Sequence, residues 1–203
     1  LAYDRIPDPR VFKTHCTSEQ TPRNDGVKII LSSRDPRDCC VSFYHHVTGM
    51  TDDARKRVGF DHLSSFDDVF EAWMGYAAWY RNIQSWWPHH DDRNVLWLRY
   101  EDMKTSLDDA VGSIAVFLQW PVTPQQHSKV VEYSSFEWMK KHSEKFTLQM
   151  KSGGSSFKPG SFIRKGEVGD HKTWLSAEQE QRILDKAAQL LEPDCLEFLG
   201  LPG

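Results

Sequence analysis

Long apolar runs are the first thing this chain lacks. Nothing in its 203 residues approaches the ~20 consecutive apolar positions of a membrane-spanning helix. No signal peptide is visible either, so a cytoplasmic protein with no membrane partner is expected. Cysteine is sparse: Cys16, Cys39, Cys40 and Cys195 form no C-x-x-C pair, which argues against a zinc ribbon or a disulfide scaffold and fits free thiols in a reducing compartment. The pairs His45-His46 and His89-His90 diverge when helical and have no Cys or acidic partner at ligand spacing, so no metal is expected. The serine-hydrolase elbow G-x-S-x-G, the dinucleotide fingerprint G-x-G-x-x-G and the triphosphatase loop G-x-x-x-x-G-K-[ST] are all missing, which removes three common enzyme classes. A surplus of positive charge is missing too. Lys and Arg total 25 against 29 Asp and Glu, a net charge of −4, which argues against nucleic acid as the main partner.

What the chain does have is ordinary material for one domain spanning 1–203, with 39% hydrophobic and 27% charged residues. Short apolar, β-rich runs predict strands at Val11–Thr14, Val27–Ser32 and Val95–Arg99. Between the last two, Phe66, Phe70, Trp73, Ala77 and Tyr80 recur at helical spacing and predict one long helix from Phe66 to Ser85, with its apolar stripe in the core. Ser106…Asp109 and Ser176…Gln179 have capping-box spacing before helices of about Leu107–Phe117 and Ala177–Leu191. Strand–helix alternation gives an α/β fold with a mostly parallel sheet flanked by helices and ligand at the strands' carboxyl ends.

Four segments carry polar chemistry. Phe162-Ile163-Arg164-Lys165-Gly166-Glu167-Val168-Gly169-Asp170 joins a forked donor, a point charge and two glycines, a combination that suits a terminal phosphate. Arg34 follows the second strand, and Asp35 and Pro36 cap and open a helix there, so Arg34 stands beside a helix N-terminus where anions bind readily. Ser42 lies two turns further on. Lys13 and His15, two apart on the first strand, would point to one side, a base beside a fixed charge, suited to deprotonating a hydroxyl. Ser134, Ser135 and Phe136 read as small residues opening a helix, with an aromatic that could stack on a flat base or simply pack in the core. Lys13, Arg34, Arg164 and Lys165 are scattered and could converge only in the fold, giving a focused pocket for a small polyanion on an acidic body. Glu101 and Asp102 read as strand-end anchors for backbone or a basic neighbour. The Gly/Ser-rich stretch from Lys151 to Ser156 is expected to order over bound ligand.

Taken together, K-T-H, R-D-P-R-D-x-x-V-S-x-Y-H, Y-E-D-M-K, S-S-F-E-W-M-K and F-I-R-K-G-E-V-G-D, in this order from about Val11 to about Leu191, resemble the cytosolic sulfotransferases. That family moves a sulfonate group from 3′-phosphoadenosine 5′-phosphosulfate (PAPS) to an acceptor, releasing 3′-phosphoadenosine 5′-phosphate (PAP). The resemblance implies a three-layer P-loop-containing sulfotransferase-like architecture and a small-molecule acceptor with a hydroxyl or amine. It also implies that Arg34, Ser42, Arg164, Lys165 and Gly166 hold the donor's 3′-phosphate and that Ser134, Phe136 and Tyr100 place its adenosine. His15 would be the general base, and Lys13 would assist at the sulfonate.

The departures are as informative. The family's Lys-Ser-Gly-Thr-Thr-Trp type loop, which cradles the 5′-phosphosulfate, is absent from this sequence, so the chain is expected to be N-terminally incomplete or a form without that loop. A non-catalytic nucleotide- or partner-binding protein is the alternative. His171 stands where the family usually has Trp, which changes the packing expected beneath that turn. His46 stands where phenol and steroid members tend to carry an aromatic facing the acceptor. The family's dimer signature survives only as Lys172, Ser176-Ala177 and Gln181, which leaves a homodimer open.

Overall fold

A computed structural model describes residues 5–24, 26–146 and 154–202. Two strands, β1 (Ile29–Ser33) and β2 (Val95–Arg99), pair in parallel with Ile29 opposite Val95 and Ser33 opposite Arg99. Parallel neighbours need a crossover. Here it runs through α1 (Pro36–Gly49), α2 (Asp52–Val58), α3 (Phe66–Tyr76) and α4 (Ala78–Trp86). After β2 follow α5 (Tyr100–Thr105), α6 (Leu107–Leu118), α7 (Pro124–Ser134), α8 (Phe136–Lys141), α9 (Ala177–Leu190) and α10 (Pro193–Leu199). The α/β architecture is as the sequence implies. Ser33 and Arg99, the paired last residues of the strands, put Arg34 and Tyr100 side by side at the carboxyl ends.

Local rules account for most boundaries. The Asp35 carboxylate accepts the Arg37 amide, and Pro36, with no N–H to satisfy, takes the first helical position of α1. Ser176 and Gln179 complete a reciprocal capping box on α9. Ser106 caps α6 by accepting the Asp109 amide. The main core joins Cys40 of α1, Phe70 and Trp73 of α3, Tyr80 and Ile83 of α4, Ile183 and Ala187 of α9, and Cys195, Leu196 and Leu199 of α10. Ile29, Trp86 and Val95 form a smaller cluster beneath the strands.

Three expectations need correction. Val11–Thr14 is not a strand. Val11 is 81% and Phe12 57% exposed, and among the described residues no strand lies beside the segment to complete a ladder, so its β-propensity has nothing to pair with. The long helix from Phe66 to Ser85 is two helices, α3 and α4, divided at Ala77, whose φ of 49° is left-handed. The stripe concealed the break because Phe70, Trp73 and Tyr80 all face one core on either side of it. Ser134 does not open a helix: it ends α7, and Ser135 alone caps α8 by accepting the Trp138 amide.

Candidate functional site

Arg34 leaves β1 under tight control. Its carbonyl accepts Trp79 Nε1–H at 3.1 Å, its guanidinium lies 4.5 Å over the Tyr100 ring, and its Nη2 donates to the Glu167 carbonyl at 2.6 Å and to Asp38 at 3.3 Å. Its Nε is buried without a partner. Glu101 accepts the Asp35 amide at 2.9 Å, the backbone-anchoring role its position at the strand end suggested. Burial, partly offset by Arg34, pushes the Tyr100 hydroxyl's pKa up, so the ring works as a neutral platform.

The Arg164–Asp170 segment closes on the same point. Asp170 takes Arg164 on one oxygen and Lys165 on the other, the latter at 2.9 Å. Burial opposes its charge, but those two cations hold its pKa below the usual carboxylate value. Gly166 has a φ of 65°, and a Cβ there would sit 2.4 Å from Phe136, so only glycine fits both the backbone and the aromatic. Lys104 and Lys140 hold their Nζ atoms 5.5 and 5.3 Å from the centroid of that Phe136 ring, and Lys140 also donates to the Arg164 carbonyl at 3.1 Å. Tyr100, Arg34, Glu167, Gly166 and Phe136 thus form one continuous contact chain across four distant parts of the sequence.

Helix α1 links this cradle to the N-terminal segment. The pKa of His45 is lowered by burial and then by Arg164 and Lys165, with Asp170 opposing. Its neighbour His46 is lowered by burial and then by His15 and Lys13. Adjacent residues of one helix therefore look toward the two groups singled out in the sequence. Ser42, exposed and three residues before His45, lies on the cradle's side of α1. His46 is set against Phe157 and Phe162 at 4.8 and 6.4 Å. Lys13 and His15 are exposed, and their stretch is held through backbone: Asn82 and Trp86 donate to the Cys16 carbonyl at 3.0 and 3.2 Å. Ser134 lies beside Ser135 at the α7–α8 junction with no hydrogen bond to the cradle.

The sequence-family match decides the assignment, since the description "Sulfotransferase domain" fits residues 2–192. The chain belongs to the sulfotransferase family. It is 30% identical over 183 residues to amine sulfotransferase of Oryctolagus cuniculus, covering 87% of this chain and 60% of that one. It is also 30% identical over 196 residues to sulfotransferase 1A1 of Canis lupus familiaris, covering 95% and 65%. The chain thus spans about three fifths of the length of these curated relatives. Mouse sulfotransferase SULT7A1 complexed with PAP shares the fold with a TM-score of 0.78 at 23% identity, covering 97% of this chain and 71% of that chain. Retinol dehydratase in complex with androsterone and inactive cofactor PAP aligns with a TM-score of 0.72 at 25% identity, covering 98% and 57%.

Several residues that build this cradle carried no assigned role in the sequence. Asp38, four residues after Arg34 and so on the same helical face, had a readable signal. Trp79 had none, because its contact spans 45 positions. His171, in the position usually held by Trp, is buried and bonds Asp38, so a polar link replaces aromatic packing there. Lys151, Ser152 and Gly153 of the expected lid lie outside the described residues. Its end is held: the Thr51 amide donates to the Ser156 carbonyl at 3.0 Å and Phe157 bridges to Met50. Among the described residues no three His, Cys, Asp or Glu side chains gather as a metal site, and no helix is long and apolar enough to cross a membrane.

Proposed function

We propose that this protein transfers a sulfonate group from PAPS to a hydroxyl or amine of a small-molecule acceptor. The carrying observation is the Arg34 guanidinium, stacked on Tyr100, hooked to the Glu167 carbonyl just after Arg164-Lys165-Gly166, and keeping a buried Nε donor without a protein partner. A phosphate supplies acceptors for such a fork. Arg34, Ser42, Arg164, Lys165 and the Gly166 backbone hold the 3′-phosphate on this reading, and Phe136, Tyr100 and Ser134 border the adenosine. Family membership, and relatives named as sulfotransferases or solved with PAP, support catalysis over a purely binding role.

In the reaction, His15 takes the acceptor's proton as the acceptor oxygen or nitrogen bonds to sulfur. The bond from sulfur to the 5′-phosphate oxygen breaks, and PAP leaves with the electron pair. Lys13 meets negative charge building on the sulfonate, so positioning and electrostatics carry the rate. His46, Phe157 and Phe162 border the acceptor side, next to His15. The test is calorimetric titration of PAP. Arg164→Ala should weaken binding by about 1.5–3 kcal/mol, the worth of a hydrogen bond to a charged group. Unchanged affinity would remove Arg164 from the phosphate site, and a wild-type chain that neither binds PAP nor transfers sulfonate would remove the reading.

A further inference from the structure

We infer that Asp38 and His171 are positioning residues that set the anion cradle's shape without touching ligand, an inference that rests on the donor-binding reading. The Asp38 side chain is 0% exposed. Its Oδ2 accepts the Gly169 amide at 2.7 Å and Arg34 Nη2 at 3.3 Å, and its Oδ1 accepts the His171 amide at 3.0 Å and lies 2.9 Å from His171 Nδ1. A carboxylate offers about four acceptor sites, so this one is saturated by protein and has nothing left for a ligand.

The donors come from opposite walls of the cradle. Arg34 belongs to the end of β1, whereas Gly169 and His171 belong to the far end of the Arg164 segment. Asp170, between those two anchored residues, reaches back to Arg164 and Lys165. Asp38 thereby fixes all three cations, one directly and two through Asp170. Together with the Glu167 carbonyl it occupies Arg34 Nη2, while the buried Nε is left without a protein partner. His171 completes the tie, since its Nε2 lies 3.5 Å from Glu180 of α9. Burial opposes the Asp38 charge, yet the Gly169 and His171 amides, the His171 ring and Arg34 hold its pKa below the ordinary carboxylate value. A saturated buried carboxylate of this kind acts at low effective dielectric and restricts every group it holds.

The experiment compares PAP with adenosine 5′-phosphate, which lacks the 3′-phosphate, on the wild-type chain, Asp38→Asn, His171→Leu and His171→Asn. Asp38→Asn and His171→Leu should weaken PAP by about ten- to a hundred-fold, the scale of one or two charge-assisted hydrogen bonds, and adenosine 5′-phosphate only a few-fold. His171→Asn, whose amide can donate from near the Nδ1 position, should restore PAP binding to within a few-fold of wild type. Equal losses for both nucleotides, or none for PAP, overturn the inference, and the His171 pair decides it if Asp38→Asn does not fold. If the wild-type chain does not bind PAP, the donor reading fails, and amide hydrogen exchange then decides the anchoring. Faster exchange in Asp38→Asn confined to residues 164–171 sustains it, and unchanged exchange overturns it.

Discussion

The cradle and the Lys13–His15 segment sit on either side of α1 and are built by opposite means. Around Arg34 and Arg164 the side chains are cross-linked: Asp38, Tyr100 and Phe136 each meet a group from a distant part of the chain, and Asp170 ties in Arg164 and Lys165 of its own segment. Around His15 the side chains are exposed, and the fold grips the carbonyl of Cys16 instead, through Asn82 and Trp86. A group that must hold one anion in one geometry gains from rigidity. On the proposed reading, a base that meets an incoming acceptor needs an open face, and fixing only its backbone leaves the His15 ring free to do so. One region is built from side-chain packing, and the other hangs on an anchored backbone.

Four measurements sharpen or break that contrast. The largest effect is expected at His15→Ala, which should lower sulfonate transfer by roughly 10²–10⁴-fold, the usual worth of a positioned acid–base group. PAP affinity should stay within a few-fold and the thermal midpoint nearly unchanged, since the side chain is exposed; equal turnover in that variant would sink the assignment of the base. Gly166→Ala should act on the other side of the contrast. A left-handed backbone and a Cβ 2.4 Å from Phe136 should cost about 1–3 kcal/mol of stability, read by denaturant titration, and weaken PAP. A variant as stable as wild type would show that the contact relaxes freely.

Acid should act on the fold in two stages. His45 and His46 have pKa values lowered from 6.5 by burial and nearby cations, so the unfolded chain takes up protons first and stability falls as pH drops below about 6.5. Asp38 and Asp170 are lowered from 3.8, so their contribution is complete above 3.8 and is lost as pH falls through their folded values. A thermal midpoint that is flat from pH 7 to 4 would contradict the histidine half, and His46→Gln should flatten part of it. The smallest effect is expected at Asn82→Ala, about 1 kcal/mol for one hydrogen bond, seen as faster proteolysis near Cys16 with PAP affinity intact. A loss of PAP affinity there would mean that the two regions are not separable.

Much of the cradle was legible because its determinants are local. Asp35 and Pro36 announce the start of α1, and Arg34 before them must stand at a strand's end. The glycine at 166 beside Arg164-Lys165 announces backbone that another group approaches closely, though not that the group is Phe136. The N-terminal segment was misread in form: Val11-Phe12 has strand propensity, but a strand exists only with a neighbour to complete its ladder. The helix break at Ala77 was invisible for a related reason, since a 3.6-residue stripe records which face is buried and not whether the axis is continuous.

The sequence by itself determined the α/β alternation, the helix caps, the family and the residue types that gather in the cradle, because each of these is written in neighbouring positions or in short ordered motifs. Only the tertiary structure decided that Trp79 holds the Arg34 carbonyl, that Asp170 gathers Arg164 and Lys165, and that Asp38 and His171 lock the two walls together. Those choices depend on which distant surfaces pack, and on the need of a buried carboxylate for partners that no local pattern can name.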